Sequence, residues 1–218
     1  MTQVFRPSAN GIARLVLWSL GVGLLVLVAV SVIYVRSGWA TGAERAPAQP
    51  VPFSHAHHVG GLGLDCRYCH TGVEVSASAG LPPTETCMTC HSQLYTNADM
   101  LAPVRESLAT GQPIAWVRVH DLADFVYFNH SIHVAKGVAC ETCHGEVDAM
   151  PILRQEAPLT MGWCLSCHRD PQPNLRPPQD VFLMHWRPPA DLARLQSWLM
   201  EAGGIHPEDM TDCYVCHR

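Results

Sequence analysis

"FNHSIHVAKGVACETCH", residues 128–144, decides how the rest of the chain is read. It spends three histidines and two cysteines on seventeen residues and shows little apolar period, so neither an ordinary core helix nor a core strand accounts for it. A near copy, "FSHAHHVGGLGLDCRYCH", stands at 53–70. Both place F-x-H-x-x-H ahead of Cys-x-x-Cys-His.

The sequence has 218 residues and ten cysteines, and every cysteine falls in such a motif. The five are Cys66/Cys69/His70, Cys87/Cys90/His91, Cys140/Cys143/His144, Cys164/Cys167/His168 and Cys213/Cys216/His217. Zinc ribbons take two thiol pairs per metal and require no following histidine, so an odd number of pairs fits them poorly. A redox dithiol takes one motif on a β-α-β unit, and no such unit is visible. Histidine makes up about 6% of the chain, so five by chance after five pairs has a probability on the order of one in a million. Covalent haem c accounts for all five: the thiols form thioethers to the porphyrin and the adjacent imidazole becomes the proximal iron ligand. The expected fold class is therefore a multihaem cytochrome c, with short α-helices and loops around five covalent haems and one N-terminal transmembrane helix.

Eight further histidines can serve the sixth position of the irons: 55, 57, 58, 120, 130, 133, 185 and 206. The pattern duplicates, with 53–91 and 128–168 each carrying a histidine pair and two motifs, and the fifth motif at 213–217 standing alone. His55, His58, His130 and His133 are accordingly expected as distal ligands. His120, in the connector feeding the second pair, is the fifth candidate, with Met161, three residues before Cys164, as the rival thioether ligand. His57 reads as a neighbour of the true pair. His185, His206 and Met210 are weaker candidates for the last haem. Met88, Met100, Met184 and Met200 read as fillers of apolar gaps. Asp99, Asp121 and Asp124 read as caps, turns or solvated charges, and no phosphate loop or nucleophile triad is present.

Residues 15–36 contain an uncharged run from Leu15 to Val35, flanked by Arg14 and Arg36, long enough to span a bilayer as a helix. A secretory signal peptide has a shorter apolar core, so a retained anchor is expected. Trp18, Tyr34 and Trp39 are placed to meet the two interfaces, and Gly21 and Gly23 read as ordinary membrane-helix glycines. Basic residues do not orient the span. Haem c, installed on the outer face of the energy-transducing membrane, puts 53–218 in the periplasm and 1–14 in the cytoplasm, with the Pro-rich stretch 37–52 as a linker. The net charge of −5 gives no footprint for nucleic acid. Helices are expected within 97–111, stopped near Gly111, and over 190–202 between Pro188-Pro189 and Gly203-Gly204, with Leu192, Leu195 and Leu199 on one face. The stretch 114–130 has the composition of an extended segment.

"FSHAHHVGGLGLDCRYCHTGVEVSASAGLPPTETCMTCH", "RVHDLADFVYFNHSIHVAKGVACETCHGEVDAM" and "PLTMGWCLSCHR" resemble the pentahaem cytochrome subunit of bacterial alternative complex III, chiefly over 53–170. The resemblance implies a quinol-oxidising complex in the cytoplasmic membrane. Its expected partners are a large iron–sulfur protein, polytopic quinol-binding subunits, a monohaem cytochrome c and a terminal oxidase, with membrane lipid around the anchor. It also implies that His55 serves the haem at Cys66 and His130 that at Cys140, while His58 and His133 reach neighbouring haems. Two other functions compete: a freestanding anchored quinol dehydrogenase feeding periplasmic reductases, and a small multihaem reductase with one open iron. Mass measurement of the purified chain is expected to show five covalently attached haems; fewer, or zinc in their place, would overturn this reading.

Overall fold

The computed structural model describes residue 6 and residues 8–217. Residues 1–5 and 7, in the segment expected in the cytoplasm, lie outside the described residues. The chain divides into two units, 1–42 and 43–218, each taken by itself below.

In the first unit, helix α1 (Ala9–Arg36) runs for 28 residues, about 42 Å at a rise of ~1.5 Å per residue. It starts earlier than the expected 15–36 and ends at the same arginine. None of its residues is buried, and Leu17, Leu24, Leu27 and Ile33 stand exposed on different faces. A helix apolar all round requires an apolar surrounding, and ~30 Å of hydrocarbon is shorter than its length. A four-residue helix, α2 (Gly38–Thr41), follows and carries Trp39 almost wholly exposed.

The second unit is helical turns and loops; among the described residues its β-structure is a single antiparallel bridge, Val138 to Leu175. Each haem motif forms its own helical turn: α3 (Cys66–Cys69), α4 (Thr84–His91), α7 (Cys140–His144), α8 (Met161–Arg169) and α10 (Cys213–Cys216). Two of these turns begin on side-chain caps, Asp65 accepting from the Arg67 amide and Thr160 from that of Trp163. Helix α5 (Ala102–Thr110) lies in the connector and ends at Gly111, whose φ of 69° places it in the left-handed region that stops a helix. Helix α9 (Leu192–Ala202) buries Gln196 and Leu199, while Leu192 and Leu195 are partly buried. The Gln196 amide donates to the carbonyls of Pro173 and Leu175, which seats α9 on the turn after α8.

The duplicated histidine pairs differ by one residue, and the backbone absorbs it. His130 and His133 sit on α6 (His130–Ala135), closed by Gly137 (φ +85°) with the Gly137 amide donating to Val134 and that of Val138 to His133. In the first copy, 59–65 is one residue longer than 134–139. There the chain forms a π-helical turn, Ala56–Gly61, closed by Gly63 (φ +69°) at the same distance before its cysteine. A π-turn is how a helix accommodates one inserted residue.

One expectation needs correction. Within 114–130, expected as an extended segment, no strand forms among the described residues, and the Gln49 side chain both accepts from the Val117 amide and donates to its carbonyl, at 2.9 Å each. That contact also shows that 37–52 is not all free linker. Glu44 donates its amide to Gln155, Gln155 donates to Arg45, and Val51 is buried with Leu101 and Val104.

The apolar core is thin. One cluster joins Val51, Leu101 and Val104 to Met88 and Trp116; another joins Val73, Val134 and Val181 to Phe182. Met100, expected as a filler, is exposed instead. A buried ion pair supplements this core: Arg176, its side chain 8% exposed, pairs with Glu141 on α7 and donates to the Leu183 carbonyl. Glu141 also accepts from the His185 amide, so it ties the 176–185 loop to the third motif. Removing one partner of a buried pair strands the other charge. Glu141→Ala is expected to destabilise the haem-loaded protein by about 3–5 kcal/mol, seen as a lowered thermal midpoint; a loss below about 1 kcal/mol would show that the pair contributes no more than a surface one.

Candidate functional site

Helical spacing explains the motif. Residues i, i+3 and i+4 share a face, so each turn sets two thiols and an imidazole on one side. The histidine amide bonds the first cysteine's carbonyl in the first and last motifs, at 2.9 Å for His70 and 2.8 Å for His217. Eight of the ten cysteines are partly buried, with Cys90 and Cys213 exposed.

The imidazoles are held by their Nδ1 atoms. His70 bonds the Gly80 carbonyl at 2.8 Å, His91 that of Leu94 at 3.1 Å, His168 that of Met210 at 2.8 Å and His217 that of Phe125 at 3.0 Å. Among the distal candidates, His58 bonds the Ser54 carbonyl at 2.8 Å, His133 that of Asn129 at 2.7 Å and His130 that of Ala77 at 2.9 Å. A carbonyl only accepts, so each of these rings carries its proton on Nδ1 and presents the Nε2 lone pair. Nε2 is then the atom available to a metal, with Nδ1 providing the orienting outer bond.

Three pairs of rings face each other at nearly one spacing. Centroids are 6.2 Å apart for His58 and His91, 6.3 Å for His130 and His144, and 6.1 Å for His133 and His168. Imidazole binds transition metals at about 2.0–2.1 Å and its nitrogen lies about 1.1–1.2 Å from the ring centre, so two rings across one metal have centroids about 6.2–6.6 Å apart. The observed gaps of 6.1, 6.2 and 6.3 Å lie at or just under the short end of that range, the spacing of two imidazoles about one metal. Two nitrogens per gap suit an iron whose equatorial positions are filled by a porphyrin, not tetrahedral zinc. The residues present therefore fit haem c.

An aromatic residue sets each distal pair. Phe53 lies nearly parallel to His58, with centroids 4.3 Å apart, and meets His55 edge-on at 4.9 Å; Phe128 repeats this with His133 at 4.5 Å and His130 at 4.7 Å. The F of F-x-H-x-x-H marked the repeat in the sequence, but its clamping role was not read there.

Other candidates fall elsewhere. His120 Nε2 is 3.2 Å from His144 Nδ1, so it engages the Nδ1 side of that ring rather than a facing gap. His55 lies among His58, His70 and His120, and its Nδ1 is buried without a protein partner. Met161 is exposed on the first turn of α8. His185 uses Nε2 to bond Asp148 at 2.9 Å, and His206 lies exposed beside Glu208. Asp121 pairs with Arg118 on the surface.

Burial favours the neutral form of four imidazoles, His55, His120, His133 and His144. Desolvation first, then neighbouring imidazoles, lowers His55 to about 4 and His144 to about 3. Burial likewise lowers His120 and His133, and pushes Cys143 up to about 11. Neutral imidazole is the form that binds metal.

Thiol pairs on helical turns with facing imidazoles are the ligand set of multihaem c-type cytochromes. No family model matches the chain. Over 97 residues it is 36% identical to the multiheme cytochrome c subunit of menaquinone reductase from Nitratidesulfovibrio vulgaris. The match takes in 44% of this chain and 45% of that protein, so the chain covers less than half of its relative's length.

The lowered imidazoles set an acid limit. Without haem, the unfolded chain takes up protons below about pH 6.5 on His55 and His144 that the folded chain refuses, so the stability of the haem-free chain falls with pH until about 4 and 3, where the folded rings titrate. The thermal midpoint is expected to drop steadily from pH 6.5 to 4; a midpoint rising across that window would contradict this.

Proposed function

We propose that the chain is the electron-carrying subunit of a quinol-linked membrane complex, anchored by α1 with residues 43–218 on the periplasmic face. The observation that carries this is the facing of His58 with His91, His130 with His144 and His133 with His168 at the spacing of one metal between two imidazoles. Five covalently bound haem c groups would supply reversible one-electron transfer.

The chain's part is to tether, ligate and orient. The ten motif cysteines would form the thioethers, and His70, His91, His144, His168 and His217 would each hold an iron from the adjacent position. His130 would share an iron with His144, His58 with His91, and His133 with His168. His55, buried beside His70, would supply the second ligand at the first motif, as the resemblance of 53–70 implies. With a second ligand at each of these four irons, and the fifth closed by one of the remaining candidates His120, Met161, His185, His206 and Met210, no iron would be left open to substrate; carbonyls bonded at Nδ1 hold seven of the rings still. Side chains here bind and tune; none performs bond chemistry.

The matched relative belongs to a menaquinone reductase, which supports a quinone-linked assembly. The stretches at 53–91, 118–150 and 158–169 point further, to the pentahaem subunit of alternative complex III working in the direction of quinol oxidation. The partners are then a large iron–sulfur protein, polytopic quinol-binding subunits and a monohaem cytochrome c, with a terminal oxidase as one acceptor. A freestanding quinol dehydrogenase would be reduced by quinol without those partners.

Purified in detergent, the chain is expected to bring membrane subunits with it, to show low-spin haem indifferent to carbon monoxide and cyanide, and to be reduced by quinol only in their presence. Carbon monoxide binding to about a fifth of the haem would place an open iron in the chain and favour the reductase. Full reduction of the lone chain by quinol would favour the freestanding dehydrogenase.

A further inference from the structure

The five motifs are numbered along the sequence, and their contacts do not follow that order. Tyr68, inside the first motif, bonds Thr89, inside the second, hydroxyl to hydroxyl at 2.9 Å. His58, just upstream of the first motif, faces His91 of the second. These contacts join motifs one and two.

The first motif meets the third on another side. The loop after His70 offers the Ala77 carbonyl to both the backbone amide and Nδ1 of His130, at 3.2 and 2.9 Å, and His130 faces His144. Arg67 lies 4.4 Å over the Phe182 ring, while the amide of Cys140 donates to the adjacent Val181 carbonyl. Cys66 and Cys140 lie close enough for each to perturb the other's thiol. Those two cysteines hold equivalent places in the duplicated units.

The third and fourth motifs are joined as the first and second are: His133, upstream of the third, faces His168 of the fourth. The fourth then meets the fifth, because His168 Nδ1 bonds the carbonyl of Met210, three residues before Cys213. The fifth motif is also fastened to the segment ahead of Phe128, with the Tyr127 amide donating to Cys216 and His217 Nδ1 bonding the Phe125 carbonyl. Thiol proximity follows the same sequence of neighbours: Cys69 senses Cys87, Cys143 senses Cys164 and Cys167, and Cys164 senses Cys216.

We infer that the five haem-attachment motifs stand in single file in the order second, first, third, fourth, fifth. The duplicated halves are joined head to head at Cys66 and Cys140, and the fifth motif extends one end. This rests on the electron-carrier reading above and deepens it. The ends of the file, each with one neighbour, are the Cys87 motif and the Cys213 motif, so partners that load and unload charge meet the chain at those two places. The first motif in the sequence, at Cys66, is internal.

Neighbouring irons in a low-dielectric interior feel each other's charge, so altering one midpoint shifts the midpoints beside it. Redox titration of the full haem-loaded protein, with sites resolved by electron paramagnetic resonance, tests the order. His58→Met, at the end site, is expected to raise that site's midpoint and shift one other, the Cys66 site. His133→Met, at an internal site, is expected to shift two, the Cys140 and Cys213 sites. A His58→Met protein that shifts the Cys140 or Cys164 site instead would overturn the file. Should either variant lose haem, the iron positions in an experimental structure of the unaltered complex decide the matter. The Cys87 iron nearest to any but the Cys66 iron would overturn the file equally. Failure of the unaltered chain to carry five reversibly reducible haems would sink the electron-carrier reading itself, whereas five such haems in another order would sink only the file.

Discussion

The structure turns on a hydrogen bond from imidazole Nδ1 to a fixed backbone carbonyl. Seven rings make it, and it does two things together: it settles the tautomer, and it aims Nε2 along a set direction. Two of the carbonyls, of Ser54 and Asn129, lie four residues before their own histidine, so one helical turn supplies ligand and support together. Others come from far along the chain, Ala77 for His130 and Phe125 for His217, and these pull separate segments into one body. His144 differs from all of them, since the group at its Nδ1 is the side chain of His120.

Such a scaffold asks little of regular secondary structure. A single helical turn suffices to bring two thiols and an imidazole to one face, and most motif helices are scarcely longer. Phe53 and Phe128 add the stiffness that a short turn lacks, each holding one imidazole face-on and another edge-on. The extra residue of the first copy is taken up by a π-turn between His55 and Leu62, leaving both ends of that copy in register with the second.

Two small apolar clusters and a buried Glu141–Arg176 pair are modest support for a unit running from 43 to 218. Small cores are commonly supplemented by covalent or metal staples, and ten motif cysteines with paired imidazoles would suit that part as haem attachments. The neutral, buried state of His55 and His144 agrees with rings held for a metal and not for solvent.

Local chemistry was legible in the sequence. Cys-x-x-Cys-His names its own geometry, because residues at i, i+3 and i+4 share a face wherever the backbone is helical, and a long uncharged apolar run requires an apolar surrounding. Proline and glycine bracketed α9, and Gly111 ended α5, for reasons contained within a few residues. What tertiary structure decided lay in contacts between distant segments. His120 and His130 belong to one stretch and both read as ligand candidates, yet His130 faces the His144 ring across a gap while His120 bonds that ring's Nδ1, according to what the fold sets opposite each. Gln49 docking on Val117 turned part of an expected linker into a fixed edge. The neighbour order of the motifs also came from space alone: spacing along a chain says which residues share a turn, and only folding says which turns touch.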